Sequence, residues 1–335
     1  MKKMRIIHCA PFNLFTKSGG ALFLNPIKIS HGLVKNGHFV HNFDYRDTAR
    51  YMSLFRTKKN GAKKMNQFFI ELVDNIKPDM IIFGHAELIY EETLALIKSK
   101  GIKMLHWYND AIVQDGFDKV GHYFDIVLTT AAGGFIDEVQ KYNKNAFFLP
   151  NLVDENVEKH KAFTQNSYKT DILFAGRPDS DRAEFVDYLE NNLSSDIRYK
   201  MIGHTRKDVI LGESYLQALA DAKICINHTR SYGINYKWYT SDRLFHSLGC
   251  GSFAISRRIV GGEDFFEDKL PYYDTYEQFL EKALFYLDNE AMRKENAQWL
   301  HNRVHTLFNN KRVAQYIISL AVGNDKDLKT YEWYE

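Results

Sequence analysis

Short apolar runs alternate with longer amphipathic stretches along most of the 335 residues. "MRIIHCA", near the start, is a short run around Ile6 and Ile7 that reads as a strand. "LNPIKISHGLVKNG" follows with apolar positions three and four apart and a glycine, Gly37, where a helix would stop. The same alternation then repeats. "HFVHNFDY", "PDMIIFG" and "IKMLHWY" read as strands, and "MNQFFIELVDNI" and "ELIYEETLALIKSKG" as helices. "FDIVLTT" and "AFFLP" are strands on either side of the helix "GGFIDEVQKYN". Strand and helix in turn at this spacing predict a parallel α/β architecture.

From "NLVDENVEKHKAFTQNSYK" the chain turns polar and aperiodic, as a connector does. A second alternation begins at "TDILFAG" and runs through "DRAEFVDYLENNL", "IRYKMIG", "GESYLQALADA", "KICINHT", "SDRLFHSLGCG" and "SFAIS". The last stretch is helical: "TYEQFLEKALFYLDN", "EAMRKENAQWLHNRVH" and "KRVAQYIISLAV". A chain of this length suits two domains. The expected division is 1–155 for a first α/β half, 156–315 for a second, and 316–335 for a C-terminal helix or tail. Ligands of such halves bind beyond the carboxyl ends of the strands.

Composition narrows this picture little. Hydrophobic residues make up 45% and charged residues 26%, the balance of a globular protein. Forty-four Lys and Arg against 42 Asp and Glu leave a net charge of +2. That small excess points away from nucleic acid as a partner. Cys9, Cys225 and Cys250 lie far apart in apolar runs, so the expectation is buried thiols rather than a metal or disulfide framework. The basic start "MKKMRIIHCAPF" is too briefly apolar for a signal peptide, and no run approaches the roughly 20 apolar residues of a membrane span. A cytoplasmic location is expected. "RTKKNGAKKMNQFF" adds a basic run with two aromatics, read either as a peripheral contact with an anionic membrane or as a solvated loop and helix start.

Candidate chemistry sits where strands end. Gly19 and Gly20 in "KSGGALF" would let backbone amides approach a phosphate or sugar hydroxyl. His85 in "FGHAE" and Asp110 in "LHWYND" are the candidate catalytic bases, with Asp110 alternatively a helix cap. Gly176 and Arg177 end the strand "ILFAG" in a setting suited to a phosphate ester, or to a plain surface turn. Asn227, Arg230, Tyr232, Asn235, Tyr236 and Lys237 belong to a polar loop of more than ten residues, a length usually kept for function. Arg243 and His246 share one helix face, three residues apart, which favours packing only if something anionic lies beside them. "RRIVGGEDFF" would place the basic side chains of Arg257 and Arg258 and free amides such as that of Gly262 beside the same pocket as Arg243.

These words resemble GT-B glycosyltransferases, and among them the CgeB-like group sharing the group-1 glycosyltransferase C-terminal domain. "SDRLFHSLGCGSFAIS" is similar to the family's Arg-Leu-Phe-Glu followed by Ala-Cys-Gly, "YLQALADAKICIN" to its preceding helix-strand step, and "DILFAGRPDSDR" to the opening of its donor domain. "YFDIVLTTAAGGFIDEVQKYNKNAFFLPNLVDENV" and "SGGALFLNPIKISHGLVKNGHFV" resemble the end of the acceptor domain and the first glycine loop. The resemblance implies two Rossmann-like domains facing a central cleft, the acceptor bound by 1–155 and the nucleotide-sugar by 156–315, with C-terminal helices, 316–335 among them, packing back toward the N-terminal domain. It implies metal-independent transfer of a sugar from a nucleotide-sugar, of UDP or GDP type and with no cofactor, to a glycan, lipid-linked or protein hydroxyl in cell-surface glycan synthesis. Arg243 and amides near Gly176 would face the diphosphate. Many relatives carry two glutamates separated by seven residues, the second holding the donor ribose; here those positions are Trp238 and His246. A non-catalytic nucleotide-sugar or glycan-binding protein on the same fold is the rival reading. A nicotinamide-dependent oxidoreductase is disfavoured because no strand-to-helix turn has the dinucleotide fingerprint.

Overall fold

The computed structural model describes residues 2–13, 22, 24–177, 181–203, 205 and 207–335. The chain divides into two compact units, one of Met1–Pro150 with Asn310–Glu335 and one of Asn151–Asn309. The first runs β1 (Arg5–Cys9), α1 (Asn25–Lys35), β2 (Phe39–Phe43), α2 (Tyr45–Tyr51), α3 (Lys58–Ile76), β3 (Met80–Gly84), α4 (Glu91–Ser99), β4 (Lys103–Tyr108), α5 (Phe117–Val120), β5 (Ile126–Thr129), α6 (Gly134–Gln140) and β6 (Ala146–Phe148). The second runs β7 (Thr170–Ala175), α7 (Asp181–Asn192), β8 (Tyr199–Ile202), α8 (Glu213–Ala220), β9 (Ala222–Asn227), α9 (Asp242–Gly249), β10 (Phe253–Arg257), α10 (Glu263–Phe266), β11 (Tyr272–Tyr273), α11 (Tyr276–Asp288) and α12 (Glu290–Leu307). Then α13 (Asn310–Val322) and α14 (Asp325–Leu328) complete the first unit.

Both sheets are parallel, as apolar runs such as β3, buried at all five positions, require. The first has the order β2-β1-β3-β4-β5-β6 and the second β11-β10-β9-β7-β8. In each, the chain moves outward to one side and then returns to build on the other. That reversal opens a crevice at the strand carboxyl ends, between β1 and β3 in the first unit and between β7 and β9 in the second. The second core is apolar and aromatic, with Ile172, Phe174, Phe185, Ile224 and Ile255 all fully buried or nearly so.

The C-terminal return is built on one glycine. A Cβ on Gly32 of α1 would lie 2.0 Å from the Asn310 carbonyl oxygen, so only glycine lets α13 lie this close. The elements that the apolar pattern does not predict are short. Seven-residue α2 is held at its start by Asp44, whose Oδ1 accepts from the Asp47 amide at 2.9 Å. Two-residue β11 and four-residue α5, α10 and α14 are too brief to show a period.

Candidate functional site

The crevice of the second unit is lined by cations. Arg243 lies in the first turn of α9 and is only 7% exposed. Its guanidinium stands 5.1 Å over the Phe174 ring of β7, and its buried Nη1 has no hydrogen-bond partner among the described residues. Burial lowers its pKa below the ordinary arginine value, yet a guanidinium stays protonated in proteins. An unsatisfied buried donor of this strength is destabilising unless a ligand completes it. Arg230 acts on Arg243 by like-charge repulsion. Arg182, Arg243 and Arg257 in turn all act on buried Tyr273. Two of these also bind backbone: Arg182 Nε donates to the His228 carbonyl at 3.2 Å, and Arg257 Nη1 to the Thr229 carbonyl at 3.1 Å. Four arginines from α7, the loop after β9, α9 and the end of β10 thus collect at one set of strand ends, an arrangement suited to a diphosphate.

The other expected residues of this unit have distinct places. Gly176 follows β7, and its amide donates to the Ile202 carbonyl at 2.8 Å, so this glycine offers space rather than a donor. A Cβ there would sit 2.9 Å from Arg243 Nη1. Arg177 is exposed just beyond. Asn227 is buried and engaged within the protein: Nδ2 donates to Ser256 Oγ at 2.8 Å, and Oδ1 accepts from Ser241 Oγ at 2.7 Å. It ties the end of β9 to β10 and to the residue that opens α9, and so positions Arg243. His246, one turn after Arg243, is buried with Nδ1 3.3 Å from Tyr215 Oη. The two residues of that helix face therefore meet different neighbours, one over Phe174 and one against Tyr215.

Tyr236 is half-buried, and its amide donates to the Gly233 carbonyl at 3.1 Å. Lys237 Nζ lies 4.1 Å over the Trp238 ring. Trp238 adopts φ 61° and donates from Nε1 to Asp264 Oδ2 at 2.8 Å, pinning the long loop to the turn after β10. Gly262 belongs to that turn; its amide donates to the Ile259 carbonyl at 3.0 Å, and a Cβ would overlap Tyr272 Oη at 2.2 Å. What Gly262 provides is close packing. His228, whose carbonyl Arg182 bonds, and Tyr273, on which the arginines act, lie outside the residues that the sequence singled out. They follow β9 and sit on β11, and only the strand order brings them together.

The crevice of the first unit has a different chemistry. Gly19 and Gly20 lie outside the described residues. The backbone entering their segment is anchored, because buried Asp44 accepts from the amides of Phe12 and Asn13 at 2.8 and 2.7 Å. Across the crevice, His85 and Ala86 follow β3 with φ of 65° and 62°. Consecutive non-glycine residues in this region are strained, a feature that gathers at functional sites. The His85 amide donates to the Trp107 carbonyl at 3.0 Å, and its ring packs edge-on to Tyr108 at 4.8 Å. Burial, aided by Arg46, lowers the imidazole pKa, against the opposing pull of Glu87 and Asp110. The ring is therefore neutral near pH 7 and able to accept a proton.

Beside it is a cleft of about 260 Å³ lined by Arg46, His85, Glu87, Tyr108, Gln114 and Asp115. Burial alone would raise Glu87, but hydrogen bonds from Arg46 (2.6 Å) and Tyr45 overcome it and hold the carboxylate ionised. Asp110 is half-buried beyond β4, close enough to influence His85. Among the described residues, no group of three His, Cys, Asp or Glu is placed to hold a metal ion, and no helix is long and apolar enough to cross a membrane.

Known structures share this architecture throughout. An alpha-glucosyltransferase in complex with UDP-glucose and DNA containing an abasic site superposes with a TM-score of 0.69, at 12% identity, over 96% of this chain and 100% of that one. AviGT4, a glycosyltransferase involved in avilamycin A biosynthesis, gives 0.58 at 12% identity over 95% and 97%. The chain has the GT-B glycosyltransferase fold. Residues 177–319, from the end of β7 into α13, match the family model described as glycosyl transferase-like. No curated protein sequence matches the chain significantly.

One expectation is corrected by these GT-B structures. Nucleic acid was set aside on a net charge of +2, but the alpha-glucosyltransferase is solved with DNA, and a further structure of this kind holds UDP and a 13-mer DNA containing a HMU base, with a TM-score of 0.61 at 11% identity over 96% and 100%. Net charge sums over the whole surface, whereas a polyanion is met by one patch of it. The exclusion therefore does not hold.

Proposed function

We propose that this protein transfers a sugar from a nucleoside-diphosphate sugar, of UDP or GDP type, to a hydroxyl acceptor. The observation that carries the reading is Arg243: a buried guanidinium with an unsatisfied Nη1, at the crevice of a parallel sheet, among three more arginines. The second unit binds the donor. Its arginines hold the diphosphate and stabilise the charge that develops on it as the sugar departs, without a divalent cation. Asn227 keeps the first turn of α9 in register, and Gly176 leaves room for the Arg243 fork. In the first unit, neutral His85 accepts the proton of the acceptor hydroxyl, and Arg46, Glu87 and Asp110 set its electrostatic surroundings. Uridine diphosphate sugar and DNA in structures of this fold support testing both as ligands.

The test is transfer measured with UDP-, GDP-, ADP- and CMP-sugars against hydroxyl-rich glycans and HMU-containing duplex DNA. Acceptor-dependent release of a nucleoside diphosphate with one donor is expected. Donor binding with no turnover for any acceptor would overturn the enzyme reading in favour of a sugar-nucleotide binding protein.

A further inference from the structure

The first unit carries a surface feature that the donor and base sites do not use. α2 rests directly on α3, so closely that a Cβ on Gly61 would lie 1.7 Å from the Ala49 carbonyl oxygen. Ala62, Met65, Phe69 and Val73 bury the inner face of α3. This rigid pair holds out its turn, where Leu54 is 92% and Phe55 77% exposed. From that tip the outer face of α3 presents Lys59, Asn60, Lys63, Lys64, Gln67 and Phe68, all exposed. The three lysines have no ion-pair partner among the described residues, and no acidic side chain joins this face before Glu71. Exposed Tyr51, Leu54, Phe55 and Phe68 cluster on this helix pair and its turn, and apolar groups gathered on a polar surface mark an interaction site.

We propose that the α2–α3 tip is a nucleic-acid contact of this protein. It deepens the reading of nucleic acid as a candidate acceptor. The lysine row meets backbone phosphates, Asn60 and Gln67 carry the paired donors and acceptors that read base edges, and Leu54 and Phe55 form a wedge that stacks on or between bases. An anionic membrane is the competing occupant. It fits less well, because an interfacial helix needs a continuous exposed apolar face, and the apolar face of α3 is buried within its own unit.

The test is fluorescence anisotropy of a labelled 13-mer, as duplex and as single strand, with the full chain across 50–200 mM salt. Sedimentation with 70:30 phosphatidylcholine:phosphatidylserine vesicles runs in parallel. Lys59→Glu/Lys63→Glu/Lys64→Glu is expected to weaken DNA binding about 100-fold at the lowest salt and to reduce the slope of log K against log salt by about 3. Leu54→Ala/Phe55→Ala is expected to weaken it about 10-fold with the slope unchanged. Lys59→Arg/Lys63→Arg/Lys64→Arg should bind as the unmodified chain does, which separates charge from fold. Vesicle binding without DNA binding, no DNA binding, or DNA binding indifferent to these changes would each overturn the proposal. Turnover is not read, so a chain that binds DNA through the tip yet transfers no sugar refutes the proposed function and leaves this contact standing.

Discussion

The two units solve the same topological problem with opposite chemistry. Each has a parallel sheet whose strand order reverses once, and each places its distinctive polar residues beyond the carboxyl ends of its strands. In the second unit those residues are arginines, and the central one is buried with a donor unsatisfied. In the first they are a strained neutral histidine, an ion-paired glutamate and an aspartate. The architecture thus supplies a place, and side-chain charge decides what occupies it. A crevice of fixed cations awaits an anion, while a crevice of opposed charges around a neutral imidazole is equipped to move a proton.

The sharpest way to separate the two is to damage each crevice in turn. Replacing the proposed base, His85→Asn, is expected to lower kcat about 1000-fold while leaving donor affinity unchanged. In the unmodified chain, activity should be lost in acid as pH falls through the histidine's folded pKa, which lies below its ordinary value of 6.5. A variant that lost donor affinity instead would place the donor in the wrong unit. Arg243→Gln is expected to weaken nucleoside-diphosphate binding about 100-fold, since truncating a buried charge-assisted contact costs about 2–5 kcal/mol. Its melting temperature without ligand should stay level or rise, because a buried unpaired charge is removed. A fall in both would reduce Arg243 to a structural residue.

Smaller changes refine the contrast. Gly176→Ala pushes on the far end of the Arg243 side chain and should weaken the donor about 10-fold with little effect on melting. Unchanged affinity would show that the fork is not held where the diphosphate binds.

Acid should also loosen the first unit. Buried His8 and His106 have pKa values lowered to about 3 and about 4, chiefly by desolvation. The unfolded chain binds those protons below about 6.5 and the folded chain does not, so stability falls as pH drops from 6.5 toward 4. Each histidine contributes a slope of at most about 1.4 kcal/mol per pH unit. Melting from pH 7 to 5 checks this. A flat profile would mean that the two rings do not stay neutral in the fold.

The sheets were legible because doubly buried strands are written as apolar runs, as in "MIIF" of β3 and "ILFA" of β7. The last long helix was legible from its periodicity in "KRVAQYIISLAV", although Gly32, whose missing side chain makes room for α13, gave no sign of that role. Sequence placed basic residues in separate loops and turns but could not show how they converge. Arg182, Arg230, Arg243 and Arg257 are spread over 76 positions and meet only because β9 and β10 stack beside β7. Nor could it show that the amides of Gly176 and Gly262 already have partners, or that Asn227 braces α9. Those are facts of hydrogen bonding between distant segments. The basic run of residues 56–69 was visible, but only the buried inner face of α3 distinguishes a projecting tip from an interfacial helix.

The central claim is that Arg243 is completed by a donor diphosphate. Calorimetric titration of the full chain with UDP and with uridine, before and after Arg243→Gln, tests it most directly. The account predicts that the intact chain prefers UDP strongly and that the substitution abolishes most of that preference while uridine binding is unaltered. An equal preference for UDP in both proteins would contradict it.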